Sequence, residues 1–433
     1  MTDSPTRPRS PARPHAWLML ALGVLAHAST TFLITVPAYL IPLLHVTQGV
    51  PLAQAGMLAA APSVGICFTL VLWGAFADRF GERVAIAACT GACVLVALLA
   101  AWVTGFVWLA LVLGLSGAAA GGTNSASGRL VVGWFPRERR GLAMGIRQMS
   151  QPLGVAVAAL VVPGLAGTSG IPAPFLLVAA VLGALTLACA LLIRDAPRAP
   201  RAVPLEDGDL APPASAAEAP GAPGTAPPPP GAAAGATDDV SGNPYRRSSF
   251  LLRIHAVSVL LTVPQYTLAT FGLVFLIADQ GWSGADAGIA VASAQLVGAV
   301  GRVVIGGISD RVGSRTTVIR AVAVLCVVGM LLIGSAGFLG VAVLTLVALV
   351  FATLISTADN GLEFTAIAEA AGPGWSGKAL GIQNTGQFLM AAAVGPSMGA
   401  LITVVGYPLA FALVALTPAA SLFLVPRRDD VAA

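Results

Sequence analysis

The sequence predicts an all-α integral membrane fold: twelve transmembrane helices in two pseudo-symmetric six-helix bundles. Three observations predict it. The composition is too apolar for a water-facing surface, twelve apolar runs are long enough to cross a bilayer, and the two halves of the chain repeat each other.

Of the 433 residues, 57% are hydrophobic and only 10% charged. A soluble domain carries about 25% charged residues to cover its surface. A fold that faces lipid needs no such cover. The 49 glycines suit helices whose backbones approach closely in lipid. The net charge of +4 comes from short Arg clusters between apolar runs, with no basic, aromatic-laced segment, so nucleic acid is not an expected partner. The five cysteines lie inside apolar runs without metal-ligand or framework spacing and read as small buried hydrophobes. No metal or cofactor is expected.

A helical span needs about 20 apolar residues. Runs of that kind cover 16–44, 52–77, 84–103, 106–134, 142–166 and 173–193, then 250–278, 284–309, 316–336, 338–370, 379–404 and 408–425. Strands are excluded by run length, by the lack of alternation, and because an open sheet edge has no partner in lipid. The chain therefore divides into a tail (1–15), a first bundle (16–193), a linker (194–249), a second bundle (250–425) and a short tail (426–433). The linker contains Pro227-Pro228-Pro229-Pro230 and too few apolar residues to build a core, so it reads as disordered. The run after the first tail is too long for a signal-peptide core and is read as a retained helix.

Orientation follows from the basic residues. All but three of the 23 Lys and Arg fall on the tails, on the linker flanks, in the loops after spans 2, 4, 8 and 10, or, as Arg253 and Arg320 do, in the first turns of the spans beside them. These positions share one face of a twelve-span chain. The positive-inside rule puts that face, both termini and the linker in the cytoplasm, and hence the protein in the cytoplasmic (inner) membrane. Arg129, Arg147 and Arg302 fall inside spans.

The halves repeat in register. Thr47-Gln48-Gly49 and Ala55-Gly56 match Asp279-Gln280-Gly281 and Ala287-Gly288 at a spacing of 232 residues. At the same spacing Gly74, Asp78-Arg79, Gly81 and Arg83 match Gly306, Asp310-Arg311, Gly313 and Arg315. At 236 residues Asn124, Gly145-Ile146 and Gln151 match Asn360, Gly381-Ile382 and Gln387, which makes Gln383 the counterpart of Arg147. Shared Ala and Gly content does not produce matched Asp, Arg, Asn and Gln.

On these residues the chain resembles the major facilitator superfamily over nearly everything outside the tail and linker. The carrying motif is Gly-x-x-x-Asp-Arg-x-Gly-x-Arg, present twice in equivalent loops; the first copy departs by holding Glu82. The resemblance implies the major facilitator fold and a cytoplasmic gate of Asp78, Arg79, Gly81, Arg83, Asp310, Arg311, Gly313 and Arg315. Gly81 and Gly313 are expected to turn the chain at positive φ. Asp78 and Asp310 are expected to face helix N-termini of the opposite half, with the Arg residues adding ion pairs across the halves.

Ionisable side chains at membrane depth cost about 2.5–3.5 kcal/mol each on insertion scales, which makes them candidates for function. Arg147 and Arg302 are the candidate substrate-binding cations; Arg129, near the end of span 4, is read as structural. Asp359 and Glu363, one turn apart, and His27 are candidate proton carriers. Tyr39, Asn124, Gln151, Gln265, Tyr266, Asn360, Gln383 and Gln387 are candidates for the rest of the binding site, with Asn384 near them. Pro37 and Pro264 are expected to free backbone carbonyls close by.

Three intramembrane Arg face two acids, so pairing each acid leaves one cation for an anionic solute. The run Gly301-Arg302 to Asp310-Arg311 also resembles the monocarboxylate and oxalate/formate branch. The expected function is secondary active transport of a small carboxylate-type anion by rocking of two bundles, coupled to a proton or a counter-anion, in a monomer. A proton-coupled exporter of drugs or metabolites is the alternative. No hydrolase, metalloprotease or phosphate-loop motif points to an enzyme.

Overall fold

In the computed structural model, which describes residues 15–135, 137–194, 243–372 and 375–429, the apolar runs become twelve spanning helices. They are α1 (Ala16–Thr47), α2 (Leu52–Phe80), α3 (Glu82–Trp102), α4 (Phe106–Trp134), α5 (Leu142–Ser169) and α6 (Pro172–Leu192) in the first bundle. The second bundle holds α7 (Phe250–Asp279), α8 (Gly284–Val312), α9 (Arg315–Leu339), α10 (Ala342–Ala371), α11 (Ser376–Val405) and α12 (Tyr407–Leu424). Among the described residues there is no strand. Most of the linker and nearly all of the N-terminal tail lie outside the described residues.

Each predicted span is found, with small shifts at the ends. The largest is at α10, predicted from 338 and observed from Ala342. Gly340, at φ +63°, closes α9 by accepting a left-handed conformation that a side chain resists. Gly81 and Gly313 sit at φ +90° and +69°, as the repeated motif predicts. The repeat also reaches a feature not read from sequence. α1 and α7 both end in a π turn, Leu43–Thr47 and Phe275–Asp279, with Gln48 and Gln280 donating five residues back. Both turns stand at the 232-residue spacing.

The described residues that border the linker, Arg194 and Asn243, and those nearest the termini, His15 and Asp429, mark one end of the molecule, here the linker end; the loops α1–α2 and α7–α8 mark the far end. The core differs between them. At the far end one apolar cluster joins both bundles, with Tyr39, Leu52, Val162 and Phe175 of the first packed among Phe271, Phe275, Met398 and Phe411 of the second. Toward the linker end each bundle keeps its own clusters. The halves therefore touch at the far end and part toward the linker.

Glycine makes the far-end contact possible. α2 crosses α11 so closely that a Cβ on Gly56 would stand 2.2 Å from the Gly395 carbonyl oxygen, and a Cβ on Gly395 equally close to that of Gly56. α5 meets α8 in the same way at Ala159 and Gly288. Outward, large apolar side chains such as Phe68, Val404 and Phe423 are exposed, which fits a lipid-facing belt. Four of the five cysteines are buried and Cys67 is half-buried.

Candidate functional site

Between the parted bundles lies a cavity of about 850 Å³. It runs from Ala59 and Ala391, near the glycine contact, to Asp78 and Gly377 at the linker end. Both candidate cations line it, one from each bundle.

Arg147 is placed by a break in α5. Pro152 has no N–H for the Gln148 carbonyl and its ring crowds that oxygen. The helix parts there into Arg137–Gln148 and Ser150–Ser169, with the Ser150 hydroxyl donating to the Arg147 carbonyl at 2.6 Å. The Arg147 guanidinium donates to Asn124 Oδ1 at 2.8 Å, to the Asn124 carbonyl at 3.0 Å, to Gln148 Oε1 at 2.9 Å and to Ser127 Oγ at 3.4 Å. All these acceptors are neutral. His27 and Gln151 line the same wall.

Arg302, on α8, donates from Nε to the Thr357 carbonyl of α10 at 2.9 Å. Asp359 and Tyr266 act on it electrostatically. Tyr266, Gln265, Asn384 and Gln387 complete this wall. The expectation that each acid takes an Arg is therefore corrected. Asp359 accompanies Arg302, Glu363 takes an amide, and the cation left with neutral partners is Arg147. Arg129 donates to Asp78 and stands 3.5 Å from Glu82, so it is held by the loop motif. Glu82, the departure from the usual motif, is thus a second acceptor for Arg129.

Several candidates are off the wall. Tyr39 is buried in the far-end core, because α1 continues past the cavity to where the bundles close. Asp359, Glu363 and Gln383 are buried behind the wall of the second bundle. The Asn360 side chain lies outside the described residues.

Behind the wall a polar line joins four elements. Gln383 Nε2 donates to Ser258 Oγ and, at 3.4 Å, to Glu363 Oε2. Its Oε1 faces His255 Nδ1 at 2.7 Å, so Nδ1 carries the hydrogen. His255 Nε2 then accepts from the Tyr245 hydroxyl at 2.9 Å. Tyr245 lies outside the spans, in a single helical turn, Pro244–Arg247, and burial raises its phenol above the ordinary value. Gln387 Nε2 donates to Ser258 Oγ at 2.8 Å and links the line to the cavity. His255 and Ser258 were not among the sequence candidates. The available signal for His255 was an ionisable group one turn inside a span. Ser258 gave none, since serine is unremarkable in an apolar helix.

In this state the ion pairs of the gate motif lie within each bundle. Asp78 is held by Arg129, and Asp310 accepts from Arg315 at 2.6 Å, with Glu369 3.5 Å from the same guanidinium. Arg83 donates to the Ala190 carbonyl at 2.8 Å, and Arg79 lies over the Phe80 ring. These ion pairs stay within one bundle, because at the linker end the other bundle is out of reach.

Comparison with known proteins gives a consistent family. The sequence model of the Major Facilitator Superfamily matches residues 20–396. Uncharacterized MFS-type transporters of two Mycobacterium tuberculosis strains, H37Rv and CDC 1551, are each 42% identical over 414 residues, covering 95% of this chain and 85% of theirs. Among solved structures, an inward-facing, occupied bacterial homolog of the human lysosomal transporter Spinster superimposes with TM-score 0.69 at 16% identity, covering 96% of this chain and 95% of that one. A nucleoside transporter gives TM-score 0.69 at 16% identity over 94% and 98%. Identities this low speak to the fold alone.

Proposed function

Because the chain belongs to the major facilitator superfamily, whose members are membrane transporters, we propose that it is a secondary active transporter of a small carboxylate-type anion. The observation that carries this reading is Arg147, a guanidinium on the cavity wall whose hydrogen-bond partners are all neutral. A buried cation without a counter-charge is costly, and a bound carboxylate would supply two parallel acceptors. Arg302 faces the same cavity but already has Asp359 nearby. The site thus offers close to one net positive charge, which suits a monoanion.

The distribution of basic residues puts the linker end in the cytoplasm. The cavity then opens inward and the glycine contact closes the outside. Transport is the alternation between this state and one in which α2 and α11 part while the motif loops meet. A proton or a counter-anion drives it, and a single chain in the inner membrane suffices.

The test is uptake of a panel of labelled monocarboxylates into proteoliposomes, with and without an imposed pH gradient. At least one should accumulate with the parent protein and fail with Arg147→Gln. Equal uptake by the parent, Arg147→Gln and Arg302→Gln would end the reading. The buried Asp359 and Glu363 favour a second one, a proton-coupled exporter of drugs or metabolites. Intact carboxylate uptake in Arg302→Gln, together with expulsion of an unrelated amphiphile, would select it.

A further inference from the structure

A second charged pocket lies on the outside of the molecule, apart from the cavity. Arg253 of α7, Arg320 of α9 and Arg427, just past α12, line it together with Leu422, Phe423 and Val425. None of these residues lines the cavity between the bundles. Two of the guanidinium groups are placed by the end of α12. Arg253 donates from Nε to the Leu424 carbonyl at 2.8 Å and from Nη2 to the Phe423 carbonyl at 3.4 Å. Arg320 donates from Nη2 to the Val425 and Pro426 carbonyls at 3.4 and 3.3 Å. A helix end leaves its last carbonyls without partners along the chain, which is why cations gather there.

These acceptors are neutral, so the charge stays unbalanced. Among the described residues no acid lies within 4 Å of any of the three groups. Asp429, close to Arg427 in sequence, instead accepts from the Thr316 N–H at 2.8 Å. A helix C-terminus contributes about half a negative charge, so three guanidinium groups leave about +2.5. Each guanidinium also has five N–H donors, more than these carbonyls use. The pocket is built for an anion rich in oxygen.

Its depth and rim select which anion. Arg253 stands three residues past Phe250, the start of α7, and Arg320 five past Arg315, the start of α9. Those steps are about 5 and 8 Å along the helix axes, and a headgroup layer is about 5–8 Å thick. The cations therefore stand at headgroup level on the linker side. Beside them Phe423 is 86% exposed and Leu252 58% exposed, apolar surface that an acyl chain covers.

We propose that this pocket binds an anionic phospholipid, with Arg253, Arg320 and Arg427 around its phosphate and an acyl chain against Phe423. A free phosphate would meet the same cations but would leave the apolar rim bare. The lipid ties the linker ends of α7, α9 and α12 together, away from the solute path, so this site stands or falls apart from the proposed function.

The test reads a tryptophan at the rim. The full chain carrying Phe423→Trp is reconstituted in phosphatidylcholine vesicles with brominated phosphatidylglycerol or brominated phosphatidylcholine at equal mole fraction. The quenching added over the parent reports lipid at the pocket. The anionic lipid should associate at least fivefold more strongly, since each guanidinium near an anionic headgroup is worth about fivefold. Arg427→Gln, which leaves the α12 carbonyl bonds in place, should lower the preference about fivefold. Arg253→Gln with Arg320→Gln should abolish it, and Arg253→Lys with Arg320→Lys should keep most of it. Equal quenching by the two lipids, or a preference that survives both Gln variants, would overturn the proposal. Inorganic phosphate at matched ionic strength should leave the preference in place; its loss would assign the pocket to a soluble anion and overturn the lipid reading.

Discussion

The two bundles share a fold and place charge on opposite members of the same pair. In the first, Arg147 donates to Ser127; at the 236-residue repeat spacing their counterparts are Gln383 and Glu363, which also meet. One half thus sets a cation against a neutral hydroxyl, and the other a neutral amide against an acid. The cation faces the cavity and the acid lies behind the wall. The two repeats keep the contact and carry the charge on opposite sides of it. On the proposed function, the first half holds the anion and the second carries the proton.

Both halves serve one cavity only while they close at the far end, so the largest effect belongs to that contact. Gly56→Leu places a branched side chain where even a Cβ meets backbone at 2.2 Å. The linker-end-open state should be lost. In a Cys67→Ser background, a cysteine at Asn384 should change from alkylation through the linker end to alkylation through the far end. An unchanged pattern would mean the contact is not a gate.

Next is the pair on the second wall. Arg302→Gln removes the cation that acts on the buried Asp359. The melting temperature in detergent should fall, and Arg302→Gln with Asp359→Asn should restore most of it. Failure to restore would separate the two side chains.

Arg147→Gln should leave stability nearly unchanged, because no acid is stranded. Anion affinity should drop about 100-fold, from losing one buried charge pair worth about 2–5 kcal/mol. The uptake KM measures this. Recasting the second half like the first, with Gln383→Arg and Glu363→Ser together, should keep anion uptake and abolish its dependence on a pH gradient.

The smallest effect is expected at the gate loops. Asp78 and Asp310 are 73% and 69% exposed, so each ion pair is worth about 0–1 kcal/mol. Asp78→Asn and Asp310→Asn should shift the same alkylation pattern slightly and alike. A large shift from one alone would show that the repeated motifs do unequal work.

His255, Ser258 and Arg147 show the limit of what was readable. Arg147 stood out as a charge inside an apolar run. His255 stood out less, near Arg253 at a helix start, and Ser258 not at all. Its place comes from two amides of α11 converging on one oxygen of α7, far apart in sequence. Tyr39 misled in the reverse sense, as a polar tip on a promising helix that lies beyond the cavity.

The sequence by itself determined the twelve spans, the two-bundle repeat and the turns at Gly81 and Gly313. Hydropathy, helix length and positive φ are local properties, and lipid leaves the backbone few alternatives. Only the tertiary structure decided which acid accompanies which cation, which polar groups face the cavity and which end is closed. Those depend on how each helix is rotated about its axis and where it crosses its neighbours. Packing across the whole chain sets both.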